Sequence, residues 1–377
     1  MSVKFLQTAD WQMGMKAVQA GEKAREVRAK RFESAARVVE VAKREDVDFV
    51  LLAGDLFEHH DVDESVVRRT VAVLDGFAPI PVFVLPGNHD PLIAGGVWDR
   101  QSWRRVGGHV TLLREAAEIQ VADDVALYPA PLKHKQSALD PSAWMPGRAA
   151  RDERILIGVA HGALDVLPER TNFPIAVARA DEAGLDYLAL GDWHGFLHSG
   201  RTVYSGTMEQ TSFGEKDSGN VAVVEIFRAR AEPVVSKHRV GTLLWTEHEP
   251  PIRDATDVEH LRRAVLGAGP LPAQVLRIRP QIDTALASEA LDELRSLRDD
   301  LQGEAFLLDW PVETLDAAPG APAPLPDGIL ADVDTDLGAI LEGRIPEGPG
   351  RDAAAAAPDV LKEARNLLQR LAREVRP

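Results

Sequence analysis

Pro81-Val82-Phe83-Val84-Leu85-Pro86-Gly87-Asn88-His89-Asp90 reads as a short buried strand running into a turn rich in polar ligands. Gly87 permits a tight turn, Asn88 offers a neutral amide oxygen, and His89 can carry a proton near neutral pH. The same arrangement occurs at four other places. Val3–Ala9 leads into Asp10-Trp11-Gln12, and Phe49–Ala53 into Gly54-Asp55. Ile155–Ala160 leads into His161-Gly162, and Tyr187–Leu190 into Gly191-Asp192-Trp193-His194. The carboxyl ends of strands in a layered α/β sheet are where ligands gather. Carboxylates, an amide and imidazoles converging there are what a pair of divalent cations needs. A lone strand-end Asp is more often a helix cap or a solvated turn. Five such motifs in succession turn the balance toward a metal site, with Asp55 the best candidate for a carboxylate shared by two ions.

Composition narrows the rest. The chain has 377 residues, 45% of them hydrophobic and 27% charged, which is globular and long enough for a large domain plus a smaller one. It has no cysteine, so disulfides, thiolate zinc sites and cysteine nucleophiles are excluded. Met1-Ser2-Val3-Lys4-Phe5 enters a strand-like run directly and no apolar stretch has membrane-spanning length, so a cytoplasmic protein without membrane contact is expected. The net charge of −16 argues against a protein that coats nucleic acid. Residues 1–245 carry a net −5 and residues 246–377 a net −11, so the acidic excess lies mostly outside the candidate site.

Strands and helices alternate over residues 1–245, predicting helices at Gly21 to about Arg44 and Glu64–Asp75, and later strands at Val125–Tyr128, Thr202–Tyr204 and Val221–Phe227. Residues 246–318 read as a small α+β cap domain: a strand at Val275–Arg279, a helix over Ala285–Leu301 and a strand at Ala305–Leu308. Residues 319–351 read as a Pro/Gly-rich linker with a short helix near Asp336–Leu341, and residues 352–377 as a C-terminal helix suited to docking a partner.

The motif set resembles that of the calcineurin-like metallophosphoesterases, and within them the SbcD-type DNA repair exonucleases, whose pattern is D-x-H, G-D, G-N-H-[DE], H-G and G-H-x-H. The resemblance covers residues 1–245 well. It implies an α/β fold, a layered metallophosphoesterase β-sandwich flanked by helices. It also implies a first cation held by Asp10, Gln12, Asp55 and His194, a second by Asp55, Asn88, His161 and Asp192, and His89 as the acid that protonates the leaving oxygen. Two positions depart from the pattern: Gln12 and Asp192 stand where the family usually has His. Both ligate through oxygen, which shifts the preference toward harder cations, Mn²⁺ first and Mg²⁺ second.

The family's nucleases act on DNA as homodimers with an SMC-like coiled-coil ATPase, so the resemblance implies a DNA nuclease whose C-terminal helix docks that ATPase. A phosphoesterase acting on nucleotides or cyclic dinucleotides and a weakly active scaffold for the ATPase are the other readings. Lys133 and Lys135 are candidate phosphate contacts, and His59 a candidate substrate contact just beyond the Gly54-Asp55 motif. Arg25, Arg28, Lys30 and Arg31 read as a solvated helix face. Trp11 and Trp193 read as packing behind the site rather than as base-stacking platforms.

Overall fold

A computed structural model describes residues 2–166, 172–282, 288–311, 329–341, 343–344 and positions 357, 360, 361, 364, 365, 367 and 368. It divides into two compact units, Met1–Trp245 and Thr246–Pro377.

The first unit is built on two six-stranded sheets. One runs in the order β12 (Val234–Arg239), β11 (Asn220–Ile226), β1 (Val3–Thr8), β2 (Phe49–Ala53), β3 (Val82–Leu85), β4 (Val110–Leu112). The other runs β5 (Ile119–Ala122), β6 (Val125–Pro129), β7 (Ile155–His161), β8 (Tyr187–Gly191), β10 (Thr202–Tyr204), β9 (Leu197–Ser199). β1 through β4 are mutually parallel, as are β6, β7, β8 and β10. All five ligand motifs therefore follow carboxyl ends of parallel strands.

The apolar runs are continuous because each central strand is buried on both faces. Side chains alternate between faces. Phe5, Phe49, Leu51 and Phe83 meet Ile155, Ile157, Tyr187 and Ala189 in the core between the sheets. Leu6, Val50, Leu52, Val82 and Val84 point the other way, against α1 (Ala24–Arg44) and α2 (Glu64–Asp75). Leu156, Leu188 and Leu190 pack on the outer side of the second sheet with α3 (Arg179–Ala183). One polar side chain crosses the inter-sheet core. Gln7 on β1 donates through Nε2 to the carbonyls of Leu190 (3.1 Å) and Val203 (2.9 Å), and its Oε1 accepts from the Tyr187 hydroxyl.

The first helix begins three residues later than its expected start, because Gly21, at φ 51°, kinks the 3₁₀ segment Val18–Lys23 and regular α-helix starts only at Ala24. Edge strands β4, β5, β9 and β12 carry no continuous apolar run and are the ones the pattern did not predict.

The second unit packs α4 (Ala255–Ala268) and α5 (Ser288–Glu304) with strands β13 (Leu244–His248), β15 (Gln274–Ile278) and β17 (Leu307–Asp309). Two short strands, β14 (Pro251–Ile252) and β16 (Gln281–Ile282), pair beside them. α4 is absent from the expected strand–helix–strand order. Its start is capped by Asp254, whose carboxylate accepts from the Thr256 and Asp257 amides, and its stripe is Val258, Leu261 and Val265. α6 (Ile329–Leu341) is longer than the predicted short helix. The breakers Pro319–Pro326 and Pro346–Gly350 lie outside the described residues, as does most of the expected C-terminal helix. Among the described positions of that tail, Leu361 is buried and Arg365 forks onto Asp334 of α6 at 2.9 and 3.1 Å. No helix among the described residues is long and apolar enough to cross a membrane.

Candidate two-metal centre

The five turns meet at one place. Ligand atoms of Asp10, Asp55 and His161 lie within 4.8 Å of one another, and all three residues are buried. His161 is the hub. Its Nδ1 is 2.9 Å from the Ala53 carbonyl, which can only accept, so Nδ1 carries a hydrogen and Nε2 is the nitrogen turned toward the acidic groups, where a proton sits in the metal-free chain and a cation could replace it. That Nε2 lies 2.7 Å from Asn88 Oδ1, 3.4 Å from Asp55 Oδ2 and 4.0 Å from Asp192 Oδ1. These are the four side chains the family pattern assigns to the second cation.

Backbone geometry explains why the donors can crowd. Asp10, Gln12, Asp55 and Asp192 have φ of 53°, 39°, 54° and 101°, a region that side-chain-bearing residues seldom occupy and that clusters at functional sites. Two glycines open the remaining space. A Cβ at Gly87 would fall 2.1 Å from Asp55 Oδ1, and one at Gly54 would fall 2.1 Å from His161 Nδ1. Asp90 joins two of the turns, accepting from the Gly87 amide at 2.7 Å and the Phe57 amide at 2.8 Å.

The electrostatics call for a cation. Burial pushes the Asp10 carboxyl up to about 7 against the pull of His161 and His194, with Asp55 and Asp192 adding to the rise. Burial alone would lower the His161 imidazole, but the carboxylates of Asp55, Asp10 and Asp192 outweigh it and hold it well above the usual histidine range. Burial would likewise raise Asp55, yet His161 holds it below the ordinary carboxylate value. Among the described residues no Lys or Arg side chain pairs with the Asp10 carboxylate, which accepts instead from the Asp192 amide at 3.1 Å. Buried hard oxygen donors plus imidazole fit one or more divalent cations.

The other expected residues distribute as follows. Gln12 is buried, and its backbone N–H donates to the Asp55 backbone carbonyl at 2.8 Å. His194 places Nδ1 2.7 Å from Glu215 Oε1, a partner the sequence reading missed. His89 donates its backbone N–H to Asp55 Oδ1 at 2.9 Å, and its Nδ1 is committed to the Glu58 carbonyl at 2.9 Å, so Nε2 is the nitrogen free for proton transfer. His59 lines a cleft of about 470 Å³ with Met15, Lys16, Glu58, Thr211 and Ser212. Lys133 lines a different cleft with Leu92, Trp98 and Arg114, and pairs loosely with Glu115 at 3.7 Å. Lys135 is exposed. The structure thus brings Asp10, Asp55, Asn88, His161 and Asp192 together, with His89 bonded to Asp55 through its backbone, and it separates His59 from Lys133.

One expectation is overturned. Arg31 is not on a solvated face but 1% exposed. It falls on the buried stripe of α1 with Val27, Ala35 and Val38, and its guanidinium donates to the carbonyls of Asp10, Trp11 and Glu209. It thereby holds the first ligand turn from behind. Arg25 and Arg28 are exposed as expected. Trp11 is fully buried, with Nε1 donating to Thr8 Oγ1 at 2.8 Å, and Trp193 packs against the outer core of the second sheet.

The chain has relatives among known proteins. An uncharacterized metallophosphoesterase, YhaO of Bacillus subtilis (strain 168), is 23% identical over 346 residues, covering 83% of this chain and 81% of the relative. Among solved structures, TT1561 of Thermus thermophilus aligns over 64% of this chain and 100% of its own, at 11% identity and a TM-score of 0.40. A putative 5'-nucleotidase from Staphylococcus aureus aligns over 64% and 54%, at 14% identity and a TM-score of 0.40. The family model for calcineurin-like phosphoesterases matches residues 3–196, the span that carries all five turns. With that match over more than half its length, the chain belongs to the calcineurin-like phosphoesterase family, metal-dependent hydrolases of phosphoesters.

Proposed function

We propose that the protein is a two-metal phosphodiesterase that cleaves DNA in double-strand-break repair, as a homodimer working with an SMC-like ATPase. The observation that carries the hydrolytic part is the convergence of Asn88, Asp55 and Asp192 on His161 Nε2, with Asp10 beside them. Asp10, Gln12, Asp55 and His194 would hold one cation and Asp55, Asn88, His161 and Asp192 the other, Mn²⁺ being favoured by the oxygen-rich donor set. Bound there, the cations supply Lewis acidity toward the phosphoryl oxygens and lower the pKa of water.

The chain's own groups do the rest. His89 presents Nε2 for the leaving oxygen because its Nδ1 is fixed on Glu58. Asp90 and Arg31 hold the turns in place, and burial of Asp10, Asp55 and His161 strengthens the charge interactions among them. The nuclease reading is supported by the motif resemblance, and the ATPase contact by the exposed Val360 and Leu367 on the described part of the tail.

A second reading, a phosphoesterase for nucleotides or cyclic dinucleotides, is favoured by the cleft of about 470 Å³ at His59, a small-molecule size. A Mn²⁺-dependent assay on linear duplex, single-stranded DNA and bis-p-nitrophenyl phosphate separates the two, with Asp55→Asn and His89→Ala as controls. DNA cleavage lost in both variants is the expected result. Hydrolysis of the small ester without DNA cleavage rejects the nuclease, and a folded chain inert on every substrate rejects both readings.

A further inference from the structure

We propose that Glu215 is a positioning residue for the metal centre: its negative charge fixes which nitrogen of His194 faces the cation and strengthens that nitrogen as a ligand. This rests on the two-metal reading above and adds a residue that lies in none of the five turns.

Glu215 lies in the irregular segment between β10 and β11 and is held by its own turn. Its Oε2 accepts from the Thr211 amide at 2.7 Å and the Ser212 amide at 3.3 Å, and its Oε1 accepts from the Thr211 hydroxyl at 2.9 Å. Gln210 adds a brace, donating to the carbonyls of Glu215 (3.0 Å) and Trp245 (3.3 Å). The carboxylate is therefore aimed before any ion arrives. What it is aimed at is His194 Nδ1, 2.7 Å from Oε1, with side-chain exposures of 26% for the imidazole and 11% for the carboxylate.

An ionised carboxylate only accepts, so the hydrogen of this contact sits on Nδ1 and Nε2 is the nitrogen left to a cation. A carboxylate behind a ligating imidazole both orients the ring and raises its basicity, and loss of such a partner typically costs about 10–100-fold in metal affinity. The arrangement has a use specific to this chain. The cation assigned to Asp10 and His194 has a neutral amide at Gln12, so His194 is the single imidazole in its proposed shell. A charged partner behind that ring offsets the weak amide donor. The equivalent ring in the other set, His161, is backed only by the neutral Ala53 carbonyl.

Glu215→Gln removes the charge at nearly the same shape: its single oxygen can still accept from His194 and the Thr211 hydroxyl, while its NH2 takes the place of the oxygen that accepts from the Thr211 and Ser212 amides. Titrating the full-length chain with Mn²⁺ by calorimetry should resolve two ions in the wild type. In Glu215→Gln the affinity for one of them should fall by about 10–100-fold while the other ion binds as in the wild type, which a general loosening of the fold would not produce. A Glu215→Gln chain that binds both ions as tightly as the wild type overturns the proposal while leaving the two-metal reading intact. A wild-type chain that takes up no Mn²⁺ removes the reading itself, and this proposal with it. A measurement on the wild type alone guards against a variant that does not fold. In long-range ¹H–¹⁵N spectra of the Zn²⁺-loaded chain, His194 should carry its proton on Nδ1, and a proton on Nε2 would refute the assignment.

Discussion

Asp10 and Asp186 are the same side chain, equally buried, at opposite ends of the parallel strands, and the protein treats them in opposite ways. Asp186 stands just before β8 and is fully paired: Arg148 and Arg201 bring two guanidinium groups, and the amides of Leu156 (2.8 Å) and Arg230 (2.6 Å) donate to it. Asp10 stands just after β1, and instead of guanidinium groups it faces the imidazoles of His161 and His194 together with the carboxylates of Asp55 and Asp192, and burial outweighs the imidazoles' pull. The buried arginine nearby, Arg31, spends its donors on backbone carbonyls. A carboxylate at the amino end is finished by the fold, while at the carboxyl end the positive charge has been left for something the chain must bind. Buried carboxylates answered by imidazoles rather than guanidinium groups, and lifted in pKa, therefore mark the end that carries the candidate site.

The comparison can be broken most sharply by removing donors. Asp55→Asn and His161→Ala should each lower phosphodiester hydrolysis by at least about 100-fold, since even outer partners of metal ligands cost about 10–100-fold. The check is initial rates on bis-p-nitrophenyl phosphate with Mn²⁺. Next comes stability at the paired end. Asp186→Ala strands two guanidinium groups and should cost about 3–5 kcal/mol in urea unfolding. By contrast, Asp10→Asn should raise the stability of the metal-free chain at pH 8, because burial lifts the Asp10 carboxyl to about 7 and its ionised form is disfavoured in the fold above that pH.

The third effect is pH. Asp10 and Asp90, lifted by burial from 3.8 to about 7, bind a proton in the folded state that the unfolded chain has already lost. His161 and His194 are raised as well, so their contribution is likewise present below the ordinary histidine value and lost as pH rises through the folded one. All four act in the same direction: the metal-free Tm should fall between about pH 5 and pH 8. Added Mn²⁺ should restore more stability at pH 8 than at pH 5.5. A flat metal-free profile would mean that the carboxyl end is not strained by its charges. The smallest expected effect is at the exposed Lys133. Lys133→Ala should leave stability within about 0.5 kcal/mol and, if the residue meets DNA phosphates, reduce the salt slope of binding by about 1.

The part of this contrast that could be read in the sequence was the part written in strands. A buried parallel strand is a continuous apolar run, and whatever follows it is forced to the carboxyl edge, so Asp10, Asp55, Asn88, His161 and Asp192 could be placed before any coordinates. Glu215 could not, because it sits in Thr211-Ser212-Phe213-Gly214-Glu215-Lys216-Asp217, where no periodicity says which side chain turns inward. Arg31 was legible in principle. It is four residues from Val27 and from Ala35, on the stripe that the apolar residues already defined, and its charge concealed its position. α4 was also marked, by the Asp254 cap and the Val258, Leu261 and Val265 spacing. The short edge strands had no such mark, since their register comes from neighbours rather than from their own pattern.

Gln7 has a mechanical consequence. Asp10, Gln12, Asp55 and Asn88 belong to one sheet, and His161, Asp192 and His194 to the other. The side-chain amide that fastens Gln7 to Leu190 and Val203 lies three residues upstream of Asp10 and, on the facing strand, two residues upstream of Asp192. It acts as the pin of a caliper whose jaws are the two ligand sets. The separation of the two sheet edges is therefore set in part in the buried interior between the sheets, upstream of the turns. Altering that one amide is thus a way to open or close the jaws without changing a single ligand.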